Sequence, residues 1–108
     1  MARSEIRVLQ GVAAPYTLQA VLVRDATDVD PPDFTTATSA HFEVENIDGE
    51  KVQWPATLSE QTASSAKATH TFSADGSDCP RREIRLIRVI TVHPSGERVS
   101  GEALLQTI

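Results

Sequence analysis

This chain predicts an all-β fold of seven or eight strands, and three observations carry the prediction. Apolar and polar residues alternate with a period of two in one segment after another, as in strands with one face in a core. Turn residues interrupt the alternation every eight to fifteen positions, the spacing of a sandwich or barrel. Between two of the alternating runs stands Asp48-Gly49, a strong short-range hairpin signal.

The first strand is expected over residues 5–9, with Ile6 and Val8 on one face, and Gly11 and Pro15 break it. A second strand over residues 17–24 sets Leu18, Ala20 and Leu22 against Gln19, Val21 and Val23. Residues 25–33 read as a loop, because the adjacent prolines at 31 and 32 exclude helix and central strand alike. The threonine-rich residues 34–39 are extended or irregular. A hairpin over residues 40–54 follows. Phe42, Val44 and Asn46 share one of its faces, Glu43 and Glu45 take the other, and a two-residue primed turn at Asp48-Gly49 joins its arms. Pro55 is expected to end the second arm.

Residues 56–66 are small and polar, with a helical turn expected only at 59–66. Alternation returns over residues 67–73, where Ala68, His70 and Phe72 oppose Lys67, Thr69 and Thr71. A turn cluster occupies residues 75–80. The longest strand covers residues 82–93, Pro94-Ser95-Gly96 forms a second hairpin tip, and a last strand runs from 98 to about 107. Together these segments predict one domain over residues 1–108, an immunoglobulin-like antiparallel sandwich of two sheets. A domain of this size buries roughly two-thirds of its unfolded surface, enough for one core.

The strand over residues 84–92 is apolar on both faces. Ile84, Leu86, Ile90 and Val92 flank Arg88 on one, while Ile87 and Val89 stand beside Arg85 on the other. Val21 and Val23, and Leu104 and Ile108, show the same excess in the second and last strands. A lone sandwich ordinarily solvates its outer faces, so the second apolar surface is covered either by loops of this chain or by a packing partner. For a partner, the expected interface is Val21, Val23, Ile87, Val89, Leu104 and Ile108.

Ten Lys and Arg against fifteen Asp and Glu give a formal charge of −5. Binding nucleic acid or an anionic membrane needs a basic face, so neither partner is expected. No apolar run approaches the roughly 20 residues that span a bilayer, and residues 1–5 lack the apolar stretch of a secretory leader. The single cysteine, Cys79, has no internal disulfide partner, as expected of synthesis in a reducing cytoplasm.

Asp25, Asp28, Asp30 and Asp33 are the best calcium candidates, since calcium takes several oxygens from one loop; yet the loop lacks the central glycine and terminal glutamate of an EF-hand. His41, His70 and His93 have no zinc-ligand spacing, and His70 reads as a hydrogen-bonded structural histidine. Cys79 precedes Pro80, with Arg81 and Arg82 placed to lower its pKa, but no histidine partner is identifiable. No serine sits in a nucleophile elbow, and no glycine-rich loop cradles phosphate. Glu43 and Glu45 read as a charged exterior, and Trp54 and Tyr16 as core or sheet-edge packing. No catalytic residue, metal or cofactor is expected, and enzymatic function is not.

Three features occur in a recognisable order. Gly11-Val12-Ala13-Ala14-Pro15 opens the second strand at Tyr16-Thr17-Leu18. Asp33-Phe34-Thr35-Thr36-Ala37-Thr38 leads to Phe42-Glu43-Val44 and Asp48-Gly49. Trp54-Pro55-Ala56-Thr57, a strand ending in Phe72, an Ala-Asp-Gly-Ser-Asp turn and the hairpin tip at Pro94-Ser95-Gly96 complete the pattern. Over residues 8–99 the chain resembles the N-terminal domain of phage baseplate upper proteins, a small β-sandwich also found as free-standing tail-region proteins. It departs from that pattern at Val12, where the family has an acidic residue, and at Ile84 and Leu86, where the family tends to an aromatic. The resemblance implies a bacteriophage virion component, assembled in the host cytoplasm, that docks into the tail or baseplate against other virion proteins and copies of itself. A capsid decoration or head–tail joining protein is the alternative on the same fold. A non-viral immunoglobulin-like module that takes calcium or a small ligand through residues 25–33 is the alternative outside it.

Overall fold

The computed structural model describes residues 4–24, 27 and 32–108. Its strands are β1 (Ser4–Val8), β2 (Thr17–Val23), β3 (Ser39–Glu45), β4 (Lys51–Ser59), β5 (Ser65–Thr71), β6 (Ile84–His93) and β7 (Gly96–Thr107). They pair as one continuous curled sheet in the order β1-β7-β6-β3-β4-β5-β2. The sheet is mixed, which corrects the expectation of a wholly antiparallel one: β1 runs parallel to β7, with Ile6 opposite Leu105 and Val8 opposite Thr107. These two strands are separated by the whole chain, so no hairpin dictates their direction. The parallel register lays Ile6 and Val8 against the core beside Leu105.

The continuity of the sheet is the work of β4. Its first part pairs with β3 as far as Ala40–Ala56, and its end pairs with β5 from Thr57–Thr69 onward. Pro55 therefore does not end the strand, as expected from the sequence, but sits at the changeover. Asn46 N donates to Glu50 O across the hairpin, so the even-numbered residues of this pair make the ladder bonds and Pro55 faces away from β3. Its missing N–H thus costs no bond to β3. Its carbonyl, which has no strand partner there, accepts from His70 Nδ1 at 2.8 Å if that nitrogen carries the proton.

The hairpin turn also differs from expectation. Gly49 N donates to Asn46 O, and Gly49 alone of the loop Ile47-Asp48-Gly49 has positive φ, at 91°. This is a three-residue loop ending in a left-handed glycine, with Asp48 capping Glu50 N through its side chain at 3.0 Å. The helical turn expected at 59–66 is absent; β4 ends at Ser59, β5 begins at Ser65, and residues 60–64 join them without helix. The threonine-rich approach to β3 is a 3-10 turn, Phe34–Thr36, capped by Asp33. Gln61 Nε2 pins it by donating to Phe34 O and Ala37 O at 2.8 and 2.9 Å.

The core lies inside the curl, where β2 and β5 face β3, β6 and β7. Leu18, Leu22, Phe34, Phe42, Val44, Trp54, Ala66, Ala68, Phe72, Cys79, Ile87, Val89, Ala103 and Leu105 fill it. Ile87 and Val89 are 2% and 5% exposed, so they are core residues and not the interface expected of them. A period of two tells which residues share a face but not which face is inside. Arg85, which shares their face, is itself buried, with its guanidinium carbon 5.5 Å from the centroid of the Trp54 ring. Near the tip of the β6–β7 hairpin the register moves between Val89–Gly101 and Ile90–Val99. Ser100 is the extra residue of this bulge, and its hydroxyl lies 2.7 Å from Thr91 Oγ1.

Candidate functional site

Two surfaces and two buried polar clusters hold the side chains that sequence reasoning singles out. The first surface is the open edge of β2. Leu18 and Leu22 turn into the core, which leaves Thr17, Gln19, Val21 and Val23 facing solvent. Val21 and Val23 are 63% and 68% exposed, as expected of interface residues. The second surface is a shallow cleft of about 620 Å³ where β1, β6 and β7 end, lined by Leu9, Arg82, Glu83, Ile84, Gln106, Thr107 and Ile108. Ile108 is exposed there, and Leu104 lies half-buried on the outward face of β7. The six expected interface residues therefore do not form one patch: two lie on β2, two in the core and two on β7 or just beyond it. Leu9 and Ile84, which reasoning from the sequence left out of the interface, are strongly exposed at the cleft. Both stand at strand ends, where alternation gives no guide to exposure.

Between these surfaces the outer face of the sheet is ionic. Glu43 faces Arg88 in the ladder, and Arg88 faces Glu102. The guanidinium of Arg88 reaches Glu43, Glu45 and Glu102 at 3.2, 3.1 and 3.1 Å, and Lys51 stands 3.8 Å from Glu43. Hydrogen bonding to Glu45 raises the pKa of Arg88 above its already high ordinary value. The charged exterior expected of Glu43 and Glu45 is thus one network, worth little per pair in water but unfavourable for an apolar partner to cover.

The first polar cluster surrounds His70. Its ring stacks on Trp54 at 4.9 Å and meets Phe42 and Phe72 edge-on. Nδ1 lies against Pro55 O, and Nε2 lies 2.9 Å from Asp78 Oδ2, which also accepts from Ser73 N. The structural reading of His70 holds. Arg85 donates to Asp78 O and to Cys79 Sγ, while its Nε, 3.3 Å from Glu83 Oε1, is not aligned for a hydrogen bond. Cys79 is fully buried, and burial pushes its thiol pKa up, against the lowering expected from Arg81 and Arg82. The thiol is therefore protonated near neutral pH.

The second cluster surrounds His93, whose Nδ1 and Nε2 lie 2.9 and 2.8 Å from the hydroxyls of Thr36 and Thr91. His41 is half-buried on β3. Among the described residues no three His, Cys, Asp or Glu side chains converge as metal ligands. Asp25, Asp28 and Asp30 lie outside the described residues, and Asp33 is the cap of the 3-10 turn. Trp54 is in the core, whereas Tyr16, just before the edge strand β2, is largely exposed.

Asp33 and Asp75 supply an acid-dependent part of the stability. Hydrogen bonds from the Thr35 side chain and then its backbone lower the Asp33 pKa, and bonds from Ser77 do the same for Asp75. Their pKa values are depressed on folding, so the stability they contribute is present above about pH 4 and lost as pH falls through the folded values. Urea midpoints should fall below about pH 4, and Asp33→Asn with Asp75→Asn should flatten that limb. A limb equally steep in the double variant would assign it to other carboxylates.

Comparison with family models, with curated proteins and with solved structures finds no match to this chain.

Proposed function

We propose that this chain is a structural docking domain of a bacteriophage virion, working in the tail or baseplate through protein–protein contacts and without catalysis. The observation that carries the docking reading is the exposure of Val21 and Val23 on an uncharged strand edge that is unpaired among the described residues. The phage assignment is supported by the resemblance of residues 8–99 to the baseplate upper family. The strand pairing supports the immunoglobulin-like reading: β2 with β5 and the end of β4 on one side, β3 with β6 and β7 on the other, is the B-E-D and C-F-G grouping of that fold. In this reading β4 serves both groups, which joins them into one curled sheet.

The buried polar clusters fit a scaffold role, because His70, Asp78, Arg85 and His93 are committed to protein partners. Particles purified on a density gradient from cells expressing the chain from its native locus, probed with an antibody against it, test the reading. Co-migration with tail-bearing particles is the expected result. Recovery only in the soluble fraction would overturn it, and co-migration with tailless heads would favour the decoration role.

A further inference from the structure

β2 stands at one edge of the sheet, and its backbone groups divide between β5 and the open side. Tyr16 O accepts from Phe72 N and Arg24 N donates to Ser64 O, at the two ends of the β2–β5 ladder. Both are even-numbered, so Leu18, Ala20 and Leu22 between them spend their backbone groups on β5. The N–H and C=O groups of Thr17, Gln19, Val21 and Val23 then point to the open side, and no backbone bond from them appears among the described residues.

Open edges are ordinarily guarded by charge, proline, bulges or shortness. β1, the other edge of the sheet, has such guards: it is five residues long and carries Glu5 and Arg7, both exposed. β2 has none. It is seven residues long, regular, and uncharged from Thr17 to Val23.

We infer that two copies of the chain join antiparallel through β2 about a twofold axis at Ala20, which merges their sheets into one. This deepens the docking reading above and rests on it for its purpose. In this register Thr17 stands opposite Val23 of the second copy and Gln19 opposite Val21 of the second copy, so all four free residues of each strand are bonded. Leu18 stands opposite Leu22 of the second copy, which keeps core faces on one side and solvent faces on the other. A shift by one residue would set Leu18 among exposed partners, and a shift by two would leave free groups unpaired. Ala20 meets its own copy at a non-hydrogen-bonded site, where Cα atoms come within about 4.5 Å and a small side chain fits. At either end Tyr16, exposed in the single chain, stands opposite Arg24 of the second copy, whose guanidinium is held by Pro32 O and Ala63 O of its own chain.

Sedimentation velocity over a concentration series tests this on the purified chain alone. The wild type should pass from monomer to dimer as concentration rises. Gln19→Pro removes an N–H that points to the open side and leaves the β2–β5 ladder intact. It should raise the dimer dissociation constant roughly tenfold or more, with an unchanged circular dichroism spectrum. If that variant disturbs the fold, Val21→Lys on the solvent face should weaken the dimer instead. Ala20→Cys should cross-link under mild oxidation while Val21→Cys does not, Cys79 being buried and out of reach. A wild type that stays monomeric, a dimer that survives both Gln19→Pro and Val21→Lys, or cross-linking at Val21→Cys in place of Ala20→Cys would overturn the inference. Co-migration with particles is scored separately, so a monomeric chain found on tails would sink the self-pairing and leave the docking reading standing.

Discussion

Trp54→Ala should lower the free energy of unfolding by about 3–5 kcal/mol, the range for truncating a large buried aromatic. The side chain is 3% exposed and lies at the centre of the curl, in ladder register with Phe42. His70 stacks on it at 4.9 Å, Phe72 meets it edge-on at 5.8 Å, and the guanidinium of Arg85 lies over its ring. Truncation would leave a cavity too polar on one side to collapse and too apolar on the other to hold water well. It would also strip Arg85 of its aromatic cover while Asp78 and Glu83 keep the guanidinium in place. Against a total of about 5–15 kcal/mol for a domain, such a loss is large. Urea unfolding followed by circular dichroism measures it, because the substitution removes the only tryptophan. The midpoint should fall with little change in slope. A shift below about 1 kcal/mol would mean that Trp54 is not the packing centre described.

Gly76→Ala should cost about 2–4 kcal/mol, through a different mechanism. Gly76 has φ +73, and a Cβ there would stand 2.7 Å from the carbonyl oxygen of Gly11. The obstacle is backbone, and Gly11 N is itself tied to Cys79 O at 2.8 Å, so neither loop can give way freely. Gly49 supplies the control. Its φ is +91, but a Cβ would meet open space, so Gly49→Ala should carry only the left-handed penalty of about 1–2 kcal/mol. Thermal and urea unfolding of the two variants side by side separates strain from clash. Equal losses would show that the Gly11–Gly76 approach is loose.

The strands were legible because alternation is a local property. β1, β2, β5, β6 and β7 all lie within two residues of the positions that alternation and turn residues indicate. β4 was not, because a proline ordinarily ends a strand. Here it stands where the strand leaves one neighbour for another, with its missing N–H turned away from β3 and its carbonyl against His70 Nδ1. The hairpin was legible, but its turn type was not. Asp-Gly suits a two-residue primed turn and equally the third position of a three-residue loop, and the register of the arms selects between them.

The candidate surfaces divide in the same way. Val21 and Val23 could be assigned to the outside because Leu18 and Leu22 give β2 a clear inner face. Ile87 and Val89 could not, because β6 is apolar on both faces and the one charged residue beside them, Arg85, is buried under Trp54.

By itself, then, the sequence determined that this protein is all-β, where most strands lie, and which residues of each strand share a face. These follow from the two-residue period and from turn chemistry, which act over a few residues. The tertiary structure alone decided the parallel placement of β1 on β7, the sharing of β4, the inner face of β6, and the exposure of the β2 edge. Each of these depends on what a strand meets across the core or beside it, and that neighbour comes from a distant part of the chain.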